Sequence, residues 1–133
     1  MEESMDIIEI EEFIGKTIKK IIILDDMTAI FFYCEDGSQY KMYHKKDCSE
    51  QVWLSDISGD IGDIVGYPIL TAEGRCERND KERSAGIDND RILWTFYEFA
   101  TVKGSVTLRW VGRSNGHYAE DVSIEKVCEK MIQ

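Results

Sequence analysis

The sequence predicts an α+β protein, mainly antiparallel β-sheet, with about seven or eight strands in hairpins and short helices that include one at the C-terminus. Three observations carry that prediction. Short runs rich in isoleucine and aromatic residues recur along the chain, the composition that strands favour. Asp36-Gly37, Lys103-Gly104 and Asn115-Gly116 punctuate those runs with residues that accept the positive φ of a hairpin turn. Ile124, Val127, Cys128 and Met131 recur at spacings of three and four, the stripe of a single helical face.

Taken in order, Glu9 to Ile14 reads as a short helix that stops at Gly15, a residue suited to a left-handed C-terminal cap. Thr17 to Asp25, Met27 to Cys34 and Ser38 to His44 read as three strands. With Asp36-Gly37 as a two-residue turn, Tyr33 faces Tyr40 and Phe31 faces Met42. Lys45 to Gln51 is a polar connection, and Val52 to Ile57 a short strand or turn. Asp60 caps a brief helix over Ile61 to Val65, closed by Gly66 and Pro68. Ile69 to Cys76 is another strand. Glu77 to Asp90 is charged and almost free of large apolar groups, and is expected to be a long hairpin loop rather than a lid. Ser123 caps the C-terminal helix. No repeat or low-complexity segment divides the chain, so residues 1–133 are expected to form one domain.

The stretch from Ile92 to Ile124 allows a finer reading. A two-residue Lys103-Gly104 turn pairs Thr101 with Val106, Phe99 with Leu108 and Tyr97 with Trp110, all on one face. A three-residue Ser114-Asn115-Gly116 turn then pairs Leu108 with Val122 and Val106 with Ile124. One face of the resulting sheet carries Tyr97, Phe99, Leu108, Trp110, Val122 and Ile124, and is expected to be core. The other carries an acid-base-acid row, Glu98, Arg109 and Asp121, with Trp94, Phe96, Val111 and Arg113 near its end. That row is an ion ladder in one reading and the polar floor of a binding site in the other. For a site, Trp94 and Phe96 supply stacking surfaces, Lys103, Arg109 and Arg113 supply cations for an anion, and Asn115 lies in the adjoining turn.

Hydrophobic residues make up 43% of the chain, which excludes disorder as the default. The formal net charge of -10 argues against binding a nucleic-acid polymer or an anionic membrane, because both require excess Lys and Arg. It permits a local basic pocket, or an acidic surface that mimics nucleic acid. Cys34, Cys48, Cys76 and Cys128 form no CxxC pair, so no zinc ribbon is expected and the thiols read as reduced. The acidic start of the chain is unlike a signal peptide, and Ile21 to Leu24 is too short to span a bilayer, so a cytoplasmic location is expected.

No complete catalytic constellation is present. His44, Asp47, Cys48 and Glu50 gather imidazole, thiol and carboxylate groups within one short segment, a set that suits zinc or a thiol nucleophile with its base. Their spacing matches no specific motif, so a structural cluster is expected and no metal or other cofactor is called for. Asp56, Asp60 and Asp63 lack calcium-loop spacing. Neither phosphate-cradling glycine motif occurs.

The segments YHKKDCSEQVWLSDISGDIGDIVGYPIL and WTFYEFATVKGSVTLRWVGRSNGHYAEDV resemble a family of small uncharacterised phage and prophage proteins. Its members carry a His-x-x-Asp-Cys-Cys-Glu block, then Gly-Asp and Pro-Ile-Leu. They end in Trp-Thr-Phe-Tyr, Lys-Gly and Arg-Trp-x-Gly-x-Ser-Asn-Gly-Tyr-Tyr-Ser-Glu. The resemblance covers roughly Tyr40 to Val122. This chain departs from it at Ser49, where the second cysteine would stand, and at His117 and Ala119 after the Asn-Gly turn. The resemblance implies a phage setting in the cytosol of a bacterial host, and with it a counter-defence role. The leading expectation is a non-catalytic protein that sequesters a nucleotide-derived immune signal, such as a cyclic ADP-ribose isomer or a cyclic oligonucleotide, as a homodimer or higher homo-oligomer. The alternatives are an acidic protein-protein inhibitor or DNA mimic of a host defence enzyme, and a metal-dependent hydrolase or phosphodiesterase built on His44, Asp47 and Glu50.

Overall fold

Strand-forming runs dominate the chain, and in the computed structural model they pair into two antiparallel sheets. The structure describes residues 6–45, 50–78, 91–114 and 121–127. The strands are β1 (Asp6–Ile7), β2 (Ile18–Ile23), β3 (Ala29–Cys34), β4 (Gln39–Tyr43), β5 (Gln51–Ser58), β6 (Thr71–Arg78), β7 (Arg91–Thr101), β8 (Gly104–Ser114) and β9 (Ser123–Val127). One sheet has the order β1-β9-β4-β3-β2 and the other β5-β8-β7-β6. Two 3-10 turns, Ile10–Phe13 and Ile61–Ile64, complete the regular structure among the described residues.

Alternation within the strands decides which side chains meet between the sheets. Ile30, Phe32, Tyr40, Met42 and Ile124 come from the five-stranded sheet, and Leu54, Ala72, Phe99, Val106, Leu108 and Trp110 from the four-stranded one. Phe13, on the first 3-10 turn, packs against rings of both sheets, with centroids 4.7 Å from Tyr40, 5.1 Å from Phe32 and 5.3 Å from Phe99. The expected core residues Tyr97, Phe99, Leu108, Trp110, Val122 and Ile124 all pack into this interior.

The expected α+β class is overturned. The described residues hold no α-helix, and the segment assigned to a C-terminal helix is strand β9, bonded to β4 on one side and β1 on the other. Ladder bonds to two neighbours override the three-and-four spacing of Ile124 and Val127. Cys128 and Met131 lie outside the described residues. The first segment, expected as a helix from Glu9 to Ile14, forms only a 3-10 turn. The Asp60 cap is as expected, its side chain accepting the Gly62 N–H at 3.0 Å.

Three registers also differ from expectation. The β3–β4 turn holds three residues, Glu35 to Gly37, with Gly37 at φ 91° and the Cys34 N–H bonded to the Ser38 carbonyl. A two-residue turn would need positive φ at Asp36. Instead the Asp36 carboxylate accepts the Ser38 N–H at 2.9 Å and the Lys16 ammonium at 2.8 Å. Tyr33 therefore faces Gln39 and Phe31 faces Lys41, which sends Tyr40 and Met42 to the core. The β7–β8 turn centres on Val102-Lys103, pairing Thr101 with Gly104 and Phe99 with Val106. Gly104 serves close approach rather than the turn centre, since a Cβ there would meet the Asp63 carboxylate at 2.8 Å. This slip of two positions keeps every side chain on its expected face. Finally, β8 and β9 do not form a hairpin: β8 lies between β5 and β7, while β9 joins the other sheet. Asn115 and Gly116 of the expected Ser114-Asn115-Gly116 turn lie outside the described residues, as does most of the expected loop from Glu77 to Asp90.

Candidate ligand-binding face

The outward face of the four-stranded sheet collects aromatic rings and guanidinium groups in adjacent rows. One row runs Glu77, Trp94, Val111, Trp53 across β6, β7, β8 and β5. The next runs Arg75, Phe96, Arg109, Asp56, and a third Glu73, Glu98, Thr107, Ser58. Ile92, Arg113 and Gln51 form a shorter row beyond Trp94. The alternation that buries Thr95, Phe99, Leu108 and Trp110 turns these residues outward.

Each arginine of the central row lies on a ring. The Arg109 guanidinium carbon is 5.0 Å from the Trp94 centroid, and that of Arg75 is 4.1 Å from Phe96. Such contacts orient a planar cation and leave its edge free to donate. Arg75 also donates to Glu77 at 2.9 Å. Arg109 differs: its Nε is buried without a hydrogen-bond partner, and it makes no ion pair among the described residues. The expected Glu98–Arg109–Asp121 ladder does not form. Glu98 stands opposite Thr107 and Glu73, Arg109 stands opposite Phe96 and Asp56, and Asp121 precedes β9 of the other sheet.

Of the residues proposed from the sequence, Trp94, Phe96, Arg109 and Arg113 share this face. Lys103 is in the β7–β8 turn, nine residues beyond Trp94, or about 30 Å along an extended strand. There its ammonium lies 5.8 Å over the Tyr67 ring, so it does not join the site. Asn115 lies outside the described residues.

Beside the β5 edge, a cleft of about 630 Å³ is lined by Asp26, Thr28, His44, Glu50, Gln51, Val52 and Trp53. His44 and Glu50 meet here: the His44 Nε2 is 2.8 Å from a Glu50 carboxylate oxygen, and its Nδ1 is 2.6 Å from the Asp121 carbonyl oxygen. A carbonyl only accepts, so Nδ1 carries a proton and Nε2 shares one with Glu50. Both ring nitrogens are thus engaged within the protein. Among the described residues no group of three or more His, Cys, Asp or Glu is placed to hold a metal, and Asp47 and Cys48 lie outside them.

A family described as a domain of unknown function (DUF7448) matches residues 11–124. The chain belongs to the DUF7448 family. That match spans nearly all of both sheets and includes every residue of the aromatic and arginine rows. No curated protein and no solved structure matches the chain. Among the described residues of this DUF7448 chain, no helix is long and apolar enough to cross a membrane.

The sequence reading missed Trp53, Arg75 and Asp26. Trp53 had a signal: Val52 and Leu54 flank it in a strand, so alternation turns the indole outward. Arg75 had none, because its place beside Phe96 depends on a β6–β7 register that no short turn specifies.

Proposed function

We propose that the protein is a non-catalytic binding protein that captures a nucleotide-derived signal molecule, of the cyclic ADP-ribose or cyclic oligonucleotide class, on the outward face of the four-stranded sheet. The observation that carries this reading is Arg109, a guanidinium held over Trp94 with no ion pair among the described residues. A planar base stacks on Trp94 and Phe96, while Arg109 and Arg113 meet phosphate oxygens. Burial of the neighbouring strand faces keeps the platform rigid, which lowers the ordering cost of binding. Capture alone needs tight binding and no transition-state machinery, in keeping with the engaged ring nitrogens of His44. The phage and bacterial-host setting, and the counter-defence role, follow from the resemblance of the sequence blocks.

Calorimetric titration against a panel of cyclic ADP-ribose isomers and cyclic oligonucleotides tests the reading, with intact ligand recovered after heat denaturation. Loss of the Arg109 contact in Arg109→Met is expected to weaken binding by roughly 10- to 100-fold, the worth of about 1.5–3 kcal/mol for a charged hydrogen bond. Absence of binding across the panel, or recovery of a cleaved product, removes the proposal. The net charge of -10 favours a second reading, an acidic inhibitor of a basic host enzyme. Retention of a host protein by the purified chain, undiminished in Arg109→Met, would support it instead.

A further inference from the structure

The cleft beside β5 shares Trp53 with the aromatic face, and Gln51 on its wall stands directly opposite Arg113 of that face. Its volume of about 630 Å³ falls in the range of small-molecule sites. Its walls come from three parts of the chain: the β2–β3 turn, the end of β4 and the start of β5.

The turn is held in place by its backbone. Met27 adopts φ 65°, a left-handed conformation unusual for a side chain without a local hydrogen-bonding group, and its carbonyl accepts the Leu54 N–H of β5 at 2.7 Å. That bond ties the turn to the four-stranded sheet and sets Asp26 and Thr28 beside Gln51 and Trp53. One Asp26 carboxylate oxygen, Oδ1, accepts the Thr28 N–H at 3.1 Å and its hydroxyl at 2.6 Å. These bonds fix the carboxylate and hold its pKa below the usual value. The second oxygen makes no hydrogen bond to another described residue.

Across the cleft, Glu50 is engaged by His44 at 2.8 Å, whereas the Asp26 carboxylate makes no ion pair among the described residues. A phosphate would be repelled there. A ring bearing adjacent hydroxyls fits: an oriented carboxylate accepts from sugar hydroxyls, the Gln51 amide donates and accepts, and the Trp53 indole packs against the ring. We infer that the cleft binds the ribose hydroxyls of the ligand whose base and phosphate occupy the sheet face, an inference that rests on the nucleotide reading of that face. Trp53 is then the hinge between the two halves of one site.

Titration with adenosine 5′-monophosphate and its 2′-deoxy counterpart tests it. A site built to hydrogen-bond a hydroxyl discriminates strongly against the analogue lacking it. The unaltered protein is expected to bind the ribonucleotide at least tenfold more tightly. Asp26→Asn preserves the Thr28 contacts, and it is expected to erase that preference, weakening the ribonucleotide more than the deoxynucleotide, which keeps only its 3′-hydroxyl. Gln51→Ala, on an exposed strand position, is expected to act in the same direction. Arg109→Met should weaken both nucleotides equally. Equal binding of the two by the unaltered protein, or parallel loss of both in Asp26→Asn, overturns the role of the cleft while the sheet-face reading stands. If neither nucleotide binds the unaltered protein, the inference falls, while the sheet-face reading is decided separately by the cyclic-nucleotide panel.

Discussion

Buried titratable side chains contribute to this fold in different ways, as an ion pair and as neutral phenols. Glu50 is wholly buried and meets His44, itself almost buried, at 2.8 Å. Removing one member of such a pair leaves the other without compensation in a low-dielectric setting. Glu50→Leu is therefore expected to cost about 3–5 kcal/mol in urea denaturation, while a double His44→Leu, Glu50→Leu replacement should cost less than the single one. A single variant within about 0.5 kcal/mol of the parent would show that the pair is not compensated as described. Tyr97 gives the fold a pH dependence. Burial first, then the negative groups of Cys76, Asp121 and Glu9, push its phenol from 10.0 up to about 12. The folded state holds the proton more tightly than the unfolded chain. Its contribution is accordingly complete below pH 10 and is lost as pH rises toward 12. The loss amounts to about 2–3 kcal/mol. Tyr97→Phe should flatten stability across that window, measured as the urea midpoint against pH. Tyr43 is raised to about 12 as well, by burial and by the hydrogen bond to Glu125. Tyr43 is only part-buried, so screening makes its share smaller.

Strands and turns differ in how much of them the sequence reveals. Strand positions were legible where β-branched and aromatic residues run together, as in Ala29–Cys34, or alternate with polar ones, as in Gly104–Ser114. The face of each residue in β7 and β8 was legible too, because a slip of two positions preserves it. The pairing of β9 was not. Its partners, β4 and β1, lie some eighty or more residues away in the chain, and five residues of mixed character suit a helix or a strand equally. The candidate face was half legible for the same reason: Trp94, Phe96, Arg109 and Arg113 come from one hairpin, whereas Trp53 and Arg75 arrive from strands on either side. Turn chemistry was misjudged where side chains replace backbone preference, as Asp36 does for Ser38. The β2–β3 turn shows such a trade-off directly. Met27 holds φ 65° without a glycine's freedom. Met27→Gly should relieve strain of about 1 kcal/mol, offset in part by the greater entropy of the unfolded chain, for a net gain of about 0.5 kcal/mol. The Leu54 bond uses only the backbone carbonyl and survives the change. A lower urea midpoint for Met27→Gly would mean that the Met27 side chain itself supports the turn.

The two sheets share one apolar interior, and Phe13 lies across it. Its ring is fully buried and touches Phe32 and Tyr40 of one sheet and Phe99 of the other. The five-stranded sheet joins residues near both ends of the described chain, since β1 and β4 flank β9. Such long-range closure makes folding slow and leaves little stable structure in either sheet alone. All three tryptophans, Trp53, Trp94 and Trp110, lie in the four-stranded sheet, so their fluorescence reports that sheet specifically. Far-ultraviolet circular dichroism reports both. Phe13→Ala is expected to cost about 3–5 kcal/mol, by lost burial and the cavity left behind. If Phe13 couples the sheets, the tryptophan and dichroism transitions of the variant shift together and stay coincident. A variant whose tryptophan transition keeps the parent midpoint while the dichroism signal falls earlier would show instead that the four-stranded sheet, and the binding face it carries, stands without its partner.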